Sequence, residues 1–394
     1  MVAADAGMRF APVAHPDVAA DEIAAHRARA ARAWLWSSVL LTGGSITAAI
    51  MLAPPAGASP VRALSWLLFI GSSMHVASTG WLFTVSEVRA YARENKARCL
   101  WVPALLIAMT AIAAGVISPV AFRWLLVPYF CWQFLHFCKQ NIGMAALAAS
   151  AQRVSSLLAA ERWPLLLAGG SAIVALAVQP RLLGLRLALG PHLRSVAVAL
   201  VSLAAGGFAV AVVAGLVALA RRPIAQRPPG FCVTYLTSLL FCLPVFVFAS
   251  PYAAVGGMTV AHGLQYLLLV GLVAGHGSAA GRRPSRLVRL AALANIALIG
   301  GAALSASSHL HNAGPGGRAI FGAYVGIVMA HFAIDAGLWR MRDPLARRFL
   351  ASSLPYLATR TSQPPRVGTP AGREVALRTA GCAKPKRARL SQVR

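Results

Sequence analysis

Apolar residues run along this chain in blocks broken by short segments rich in Arg, Gly, Pro and Ser. The blocks are about 20 residues long, the length a helix needs to cross a hydrocarbon core of about 30 Å. They predict ten transmembrane helices, at 34–53, 63–85, 99–118, 121–141, 163–179, 195–220, 231–250, 252–276, 287–306 and 319–341. The fold class is therefore all-α, a polytopic integral membrane helix bundle. It divides into an N-terminal segment 1–33, a ten-helix domain 34–341 and a tail 342–394.

Charge orients the bundle, because short cytoplasmic loops collect Lys and Arg. Arg27, Arg29 and Arg32 precede the first helix, and Arg89, Arg93, Lys96 and Arg98 follow the second. Lys139, Arg153 and Arg162, then Arg221, Arg222 and Arg227, then Arg282, Arg283, Arg286 and Arg289 continue that side. The alternate loops hold only Arg62, Arg123, Arg181, Arg186, Arg194 and Arg318. Seventeen against six is expected to put both termini on the cytoplasmic side.

Composition agrees. The 394 residues are 58% hydrophobic and 12% charged, where a soluble chain would be about a quarter charged. A net charge of +27 would fit a nucleic-acid partner, but the basic residues lie in loops and tail, so membrane lipids are the expected partners and nucleic acid is not. The tail carries twelve Lys and Arg against Asp343 and Glu374, has no long apolar run, and is expected to be disordered, either as a solvated tail that follows the charge rule or as one that adheres to anionic lipid heads. No cleavable leader is evident, and the first block reads as a retained anchor. Six cysteines form no CxxC pair, so no disulfide framework is expected.

The chemistry lies in four histidines inside the spans: His75, His136, His262 and His331. In the ten-helix arrangement all four helices run from outside to inside. Counting from their outer ends gives depths of roughly 15–23 Å at the helical rise, one layer near mid-membrane. Each has polar company three or four residues away, on its own helical face. His75 has Ser72, Ser78 and Thr79; His136 has Gln133 and Gln140; His262 has Gln265 and Tyr266; His331 has Asp335, an acidic residue inside an apolar span. A lone intramembrane histidine commonly bridges helices, but four in one layer with a carboxylate form a candidate metal site. A neutral imidazole binds a metal through one nitrogen while the other donates to an oxygen acceptor. The four histidines are the expected ligands and Gln133, Gln140 and Gln265 the supporting groups, while Asp335 and Tyr266 are expected to be catalytic. A mixed His/carboxylate set suits non-haem iron; haem held by paired histidines is the other reading.

The motifs HVxxTG (75–80), HFxxQNxG (136–143), HxxQY (262–266) and HFxxDxxxWR (331–340) resemble those of uncharacterised bacterial multi-pass membrane proteins. More distantly, the arrangement is similar in site type to the Brp/Blh membrane carotene dioxygenases, and that similarity implies iron held by intramembrane histidines. The HxxxH and HxxHH boxes of membrane desaturases are absent. The resulting expectation is a metal-dependent membrane oxygenase or oxidoreductase acting on a lipid-soluble substrate. The alternatives are a secondary transporter with His331 and Asp335 as a proton relay, and a structural membrane partner whose histidines only bridge helices.

Overall fold

A computed structural model of the chain describes residues 16–55, 58–185, 187, 190–276, 284–340 and 343–357. Among these every regular element is helical. In chain order they are α1 (Pro16–Met51), α2 (62–82), α3 (Ser86–Glu94), α4 (Ala97–Val116), α5 (Pro119–Ala151), α6 (Ala159–Val178), α7 (Pro191–Arg221), α8 (Pro229–Leu239), α9 (Pro244–Val247), α10 (Tyr252–Gly275), α11 (Arg286–Asn312), α12 (Pro315–Leu338) and α13 (Pro344–Ser353). Proline opens many of them. At the first helical position its missing N–H is no loss, because that donor would lack an intrahelical partner anyway. At α5 the Ser118 side chain also accepts the N–H of Ala121, capping the first turn.

Seven helices, α1, α4, α6, α7, α10, α11 and α12, are long and apolar enough to cross a membrane. Their outward faces are those of a membrane protein. Leu105, Met109, Ile112 and Val116 form an exposed stripe along α4, and Val198, Leu203, Val210 and Val213 are exposed on α7. Helices α2 and α5 are comparably long but more polar, and they carry His75 and His136.

Three expected elements differ. The span expected at 231–250 is broken into α8 and the single turn α9, because Pro244 has no N–H to continue the ladder. Helix α1 begins at Pro16, inside the segment expected to precede the bundle, and buries Ala31, Trp34 and Leu35. The segment expected as a disordered tail opens with α13, which buries Ala346 and Leu350, four residues apart, and Leu354 and Leu357 just beyond the helix are buried too. The remainder of that tail, from 358, lies outside the described residues.

The packing that matters for the site joins α2 to α10. Residues Phe69–Met74 form a π-helical turn within α2, just before His75. Gly71 in that turn lies against the backbone of Val260, and a Cβ on Gly263 would overlap the Gly71 carbonyl. Two side-chain-free surfaces in contact let the helices approach closely, which sets His75 and His262 side by side.

Candidate metal centre

Four helices each contribute one imidazole to an interior layer: His75 from α2, His136 from α5, His262 from α10 and His331 from α12. The rings close a quadrilateral. Their centres are 5.1 Å apart for His75–His262, 4.9 Å for His262–His136, 5.3 Å for His136–His331 and 5.1 Å for His331–His75, each pair edge-to-face. His262 is fully buried and His136, the most open of the four, has a side chain 11% exposed. Two phenylalanines fix the square from outside. Phe137 stacks on His262 at 4.1 Å, and Phe332 stacks on His136 at 4.7 Å. Each follows a histidine in a His-Phe pair yet stacks on a histidine of another helix, so the dipeptide serves two sides of the square.

A hydrogen-bonded chain ties one edge of the square to a carboxylate. The Tyr266 hydroxyl donates to Asp335 Oδ1 at 3.1 Å, the Thr79 hydroxyl lies 2.9 Å from the Tyr266 oxygen, and His331 Nδ1 lies 2.6 Å from Thr79. An ionised carboxylate only accepts, so Tyr266 spends its proton on Asp335 and must accept from Thr79. With Asp335 ionised, Thr79 would then accept from His331 and that ring would be the Nδ1–H tautomer. The lone pair of His331 Nε2 is left facing Asp335 Oδ2 at 3.5 Å, and His136 Nε2 is 3.9 Å from the same oxygen.

That juxtaposition is costly as it stands. Asp335 is 3% exposed, and an acceptor facing an acceptor in a low-dielectric interior is repulsive. Both ring nitrogens of His75 and of His262, Nε2 of His136 and His331, and Asp335 Oδ2 have no hydrogen-bond partner among the described residues. Buried polar atoms are nearly always paired, so unpartnered atoms brought together from four helices mark a candidate cation site. Comparison with family models, curated proteins and solved structures found no match for this chain. The site therefore rests on its geometry.

The donor set fits a metal ion. Candidate ligand atoms of His75, His262 and His331 all lie within 4.8 Å of one another, as do those of His136, His331 and Asp335. Imidazoles bound at about 2.0–2.1 Å to a common ion have ring centres roughly 4.5–5.2 Å apart, close to the spacings here. These buried His and Asp groups could hold a metal ion, with Thr79 and Tyr266 fixing the tautomer and orientation of two of them.

The structure brings His75, His136, His262, His331, Asp335 and Tyr266 together as expected. It does not bring the glutamines to the rings. Gln140 Nε2 donates to the His262 carbonyl at 3.0 Å and to Gln265 Oε1 at 2.9 Å, and Gln265 Nε2 donates to Thr42 Oγ1 on α1 at 2.7 Å. Each amide sits a turn beyond its histidine, level with neighbouring helices rather than with the imidazoles. Gln133 faces a cavity of about 530 Å³ that also reaches His75, Phe137 and Phe332, and its Oε1 has no partner. Sequence reasoning placed Thr79 beside His75 but missed its bond across to α12, and it missed both stacked phenylalanines. The repeated His-Phe pair was the available signal.

Proposed function

We propose that the chain is an intramembrane metal-dependent enzyme, an oxygenase or oxidoreductase whose substrate is lipid-soluble. The observation that carries this is the convergence of orphaned, buried acceptor atoms from four helices on one volume. Helix-bridging histidines would be hydrogen-bonded to their neighbours; here only His331, through Nδ1 to Thr79, is so bonded among the ring nitrogens that have a described partner, and at least one nitrogen of every ring is left without one. His75, His136, His262 and His331 would hold the ion, and Asp335 would complete the set or orient it. Imidazole with carboxylate suits iron, and rings 4.9–5.3 Å apart leave no gap for a porphyrin between them, which favours a bare ion over haem. When bound, iron supplies oxygen activation. The protein supplies a dry cavity, ring orientation through the stacked phenylalanines, and a proton path along His331, Thr79, Tyr266 and Asp335.

Metal analysis of purified protein, with a visible spectrum, tests this reading. Stoichiometric iron without a haem band is expected. Protein that carries no transition metal and takes none up would sink it, and the His331–Asp335 relay would then support a secondary transporter instead.

The proposed setting is the inner membrane of a bacterium, with both termini cytoplasmic and ten crossings, one of them through the broken segment of α8 and α9. The loop-charge asymmetry supports it. Cysteines introduced at Ser59 and Ser285 should label with an impermeant reagent from outside only and from inside only, respectively. Labelling of both from one side would overturn the arrangement.

A further inference from the structure

A second cavity, of about 590 Å³, lies beside the one that reaches His75, and the two share Leu126, Phe130 and Phe321 as walls. Its character differs. Arg123, Arg318, His311 and Asn312 line it, and no carboxylate among its lining residues neutralises them. Arg318 gives Nε to the Ala114 carbonyl and Nη2 to the Gly115 carbonyl, both at 3.1 Å, leaving Nη1 uncommitted. Arg123 makes no side-chain hydrogen bond or ion pair among the described residues. Both stand near the N-terminal ends of α5 and α12, on the side where the loops hold few basic residues and the charge rule for topology gives no reason to keep them.

Spacing links this cavity to the metal centre. Arg123 stands thirteen positions before His136 on α5, and Arg318 thirteen positions before His331 on α12. At the helical rise both guanidinium-bearing positions are roughly 20 Å from the histidine layer, about the reach of an extended long acyl chain. The shared walls are apolar, and the cavity beyond them reaches His75, which is 3% exposed with an unpartnered Nε2, and Gln133, among hydroxyls that include Ser72, Thr259 and Ser305.

We infer that the two cavities form one amphiphile site, in which a single-chain substrate with an oxyanion head binds Arg123 and Arg318 and lays its apolar tail past Phe130 to His75. Arginine pairs with a carboxylate or phosphate by charge-assisted hydrogen bonds, and the aromatic walls remove the chain from water and lipid alike. The proposal rests on the metal-enzyme reading for the chemistry done at the tail, but not for binding. It makes the head group a distance gauge, because a fixed head places a defined stretch of chain at the histidines.

The test is binding to full-length protein in zwitterionic nanodiscs, with metal content measured on the same preparation. Palmitate, hexadecyl phosphate and methyl palmitate are compared. Saturable binding of either anion is expected, with the ester about tenfold weaker, as the loss of a charged hydrogen bond implies. Preference between carboxylate and phosphate identifies the head. Arg123→Gln should weaken the anion about tenfold and leave the ester unchanged. Should Arg318→Gln fail to accumulate, because Arg318 also caps α4 carbonyls, Arg123→Gln alone carries the test. A diazirine at the chain end should insert near Ser72–Val76 or Gln133, and one beside the head near Phe122. Equal affinity for acid and ester, or chain-end insertion only into outward-facing residues, would overturn the site even if metal is present. Head preference in metal-free protein would sustain the site and sink the metal reading alone.

Discussion

Two buried polar clusters in this bundle differ in how completely they are satisfied. Around Glu161 and Arg222, respectively 0% and 2% exposed, almost every polar atom is used. Arg222 Nη1 donates to both carboxylate oxygens at 2.7 and 2.8 Å, Nη2 donates to the Ser155 carbonyl and hydroxyl, and the guanidinium lies over the Phe231 ring at 4.5 Å. Glu161 Oε2 accepts the Leu158 N–H, and the Glu161 carbonyl accepts the Tyr235 hydroxyl. Only Arg222 Nε lacks a partner. Around the four histidines the count is reversed, with orphan acceptors from His75, His136, His262, His331 and Asp335. A cluster that serves the fold closes its own hydrogen bonds. A cluster kept open at similar burial is held by the rest of the bundle for something else to close.

If that contrast is right, the closed cluster should fail through stability and the open one through binding. The largest effect is expected at Arg222. Arg222→Ala leaves the Glu161 carboxylate buried without its cation, which should cost about 3–5 kcal/mol and sharply reduce folded protein in a thermal or denaturant assay. The fraction that folds should still bind metal at the wild-type stoichiometry. Loss of metal from well-folded Arg222→Ala protein would erase the distinction between the two clusters.

The next effect is expected within the square. His262→Ala and His331→Ala should each reduce metal affinity by more than about a hundredfold, since each removes a ligand where a supporting partner is worth about 10–100-fold. Melting measured on metal-free protein should fall far less than for Arg222→Ala, because neither change strands a buried charge: His262 has no hydrogen-bond partner among the described residues and His331 has the neutral one to Thr79. His276→Ala is the control. That ring is exposed, lies 5.4 Å from the Tyr356 ring, and among the described residues hydrogen-bonds the Leu272 carbonyl of its own helix, so metal should remain near wild type. A large melting loss with metal intact in His262→Ala would make the histidines structural bridges.

A smaller effect separates orientation from ligation. Thr79→Val keeps the side-chain shape but removes the acceptor that holds His331 as the Nδ1–H tautomer. Partners of this kind are worth about 10–100-fold in metal affinity, so a loss in that range is expected, with Thr79→Ser restoring most of it. No change in Thr79→Val would dismiss the hydrogen-bonded chain as incidental.

Much of the open cluster was legible in sequence, and little of the closed one. Histidines are conspicuous in apolar blocks, and depth counting along α2, α5, α10 and α12 needs only the helical rise, so their shared layer could be read without coordinates. The partners three or four residues away were found for the same reason, but which of them meet was not. Thr79 looked like company for His75 and instead serves His331, because contacts across helices depend on rotation about each axis, which composition does not encode. Glu161 and Arg222 were hidden by position. Both stand at span ends, where a charge normally reads as a solvated flank, and Arg222 was counted among the residues that orient the chain. Sixty-one residues separate them, so no local spacing announces the pair. The break at Pro244 was visible as a proline, yet an apolar run around it outweighed that signal.

The smallest effect concerns the glutamines, and it sharpens the comparison from the other side. Gln140 and Gln265 lie beside the open cluster in sequence, but their hydrogen bonds resemble those of the closed one. Gln140 joins α5 to the His262 carbonyl, and Gln265 continues the link to Thr42, whose hydroxyl donates to the Ser38 carbonyl at 2.7 Å. This is a relay across α5, α10 and α1 that touches no imidazole nitrogen. Gln140→Leu should therefore behave as a loss of interhelical hydrogen bonds, worth about 0.6 kcal/mol in membrane bundles, with bound metal unchanged within about twofold. Its partner Gln265 Oε1 is left unpaired, so Gln140→Leu combined with Gln265→Leu should cost less than the sum of the two single changes, as expected when two groups share one bond. A metal loss comparable to that of Thr79→Val would instead place the glutamines within the support of the rings. The boundary between the two kinds of cluster would then run outside Gln140 rather than inside it.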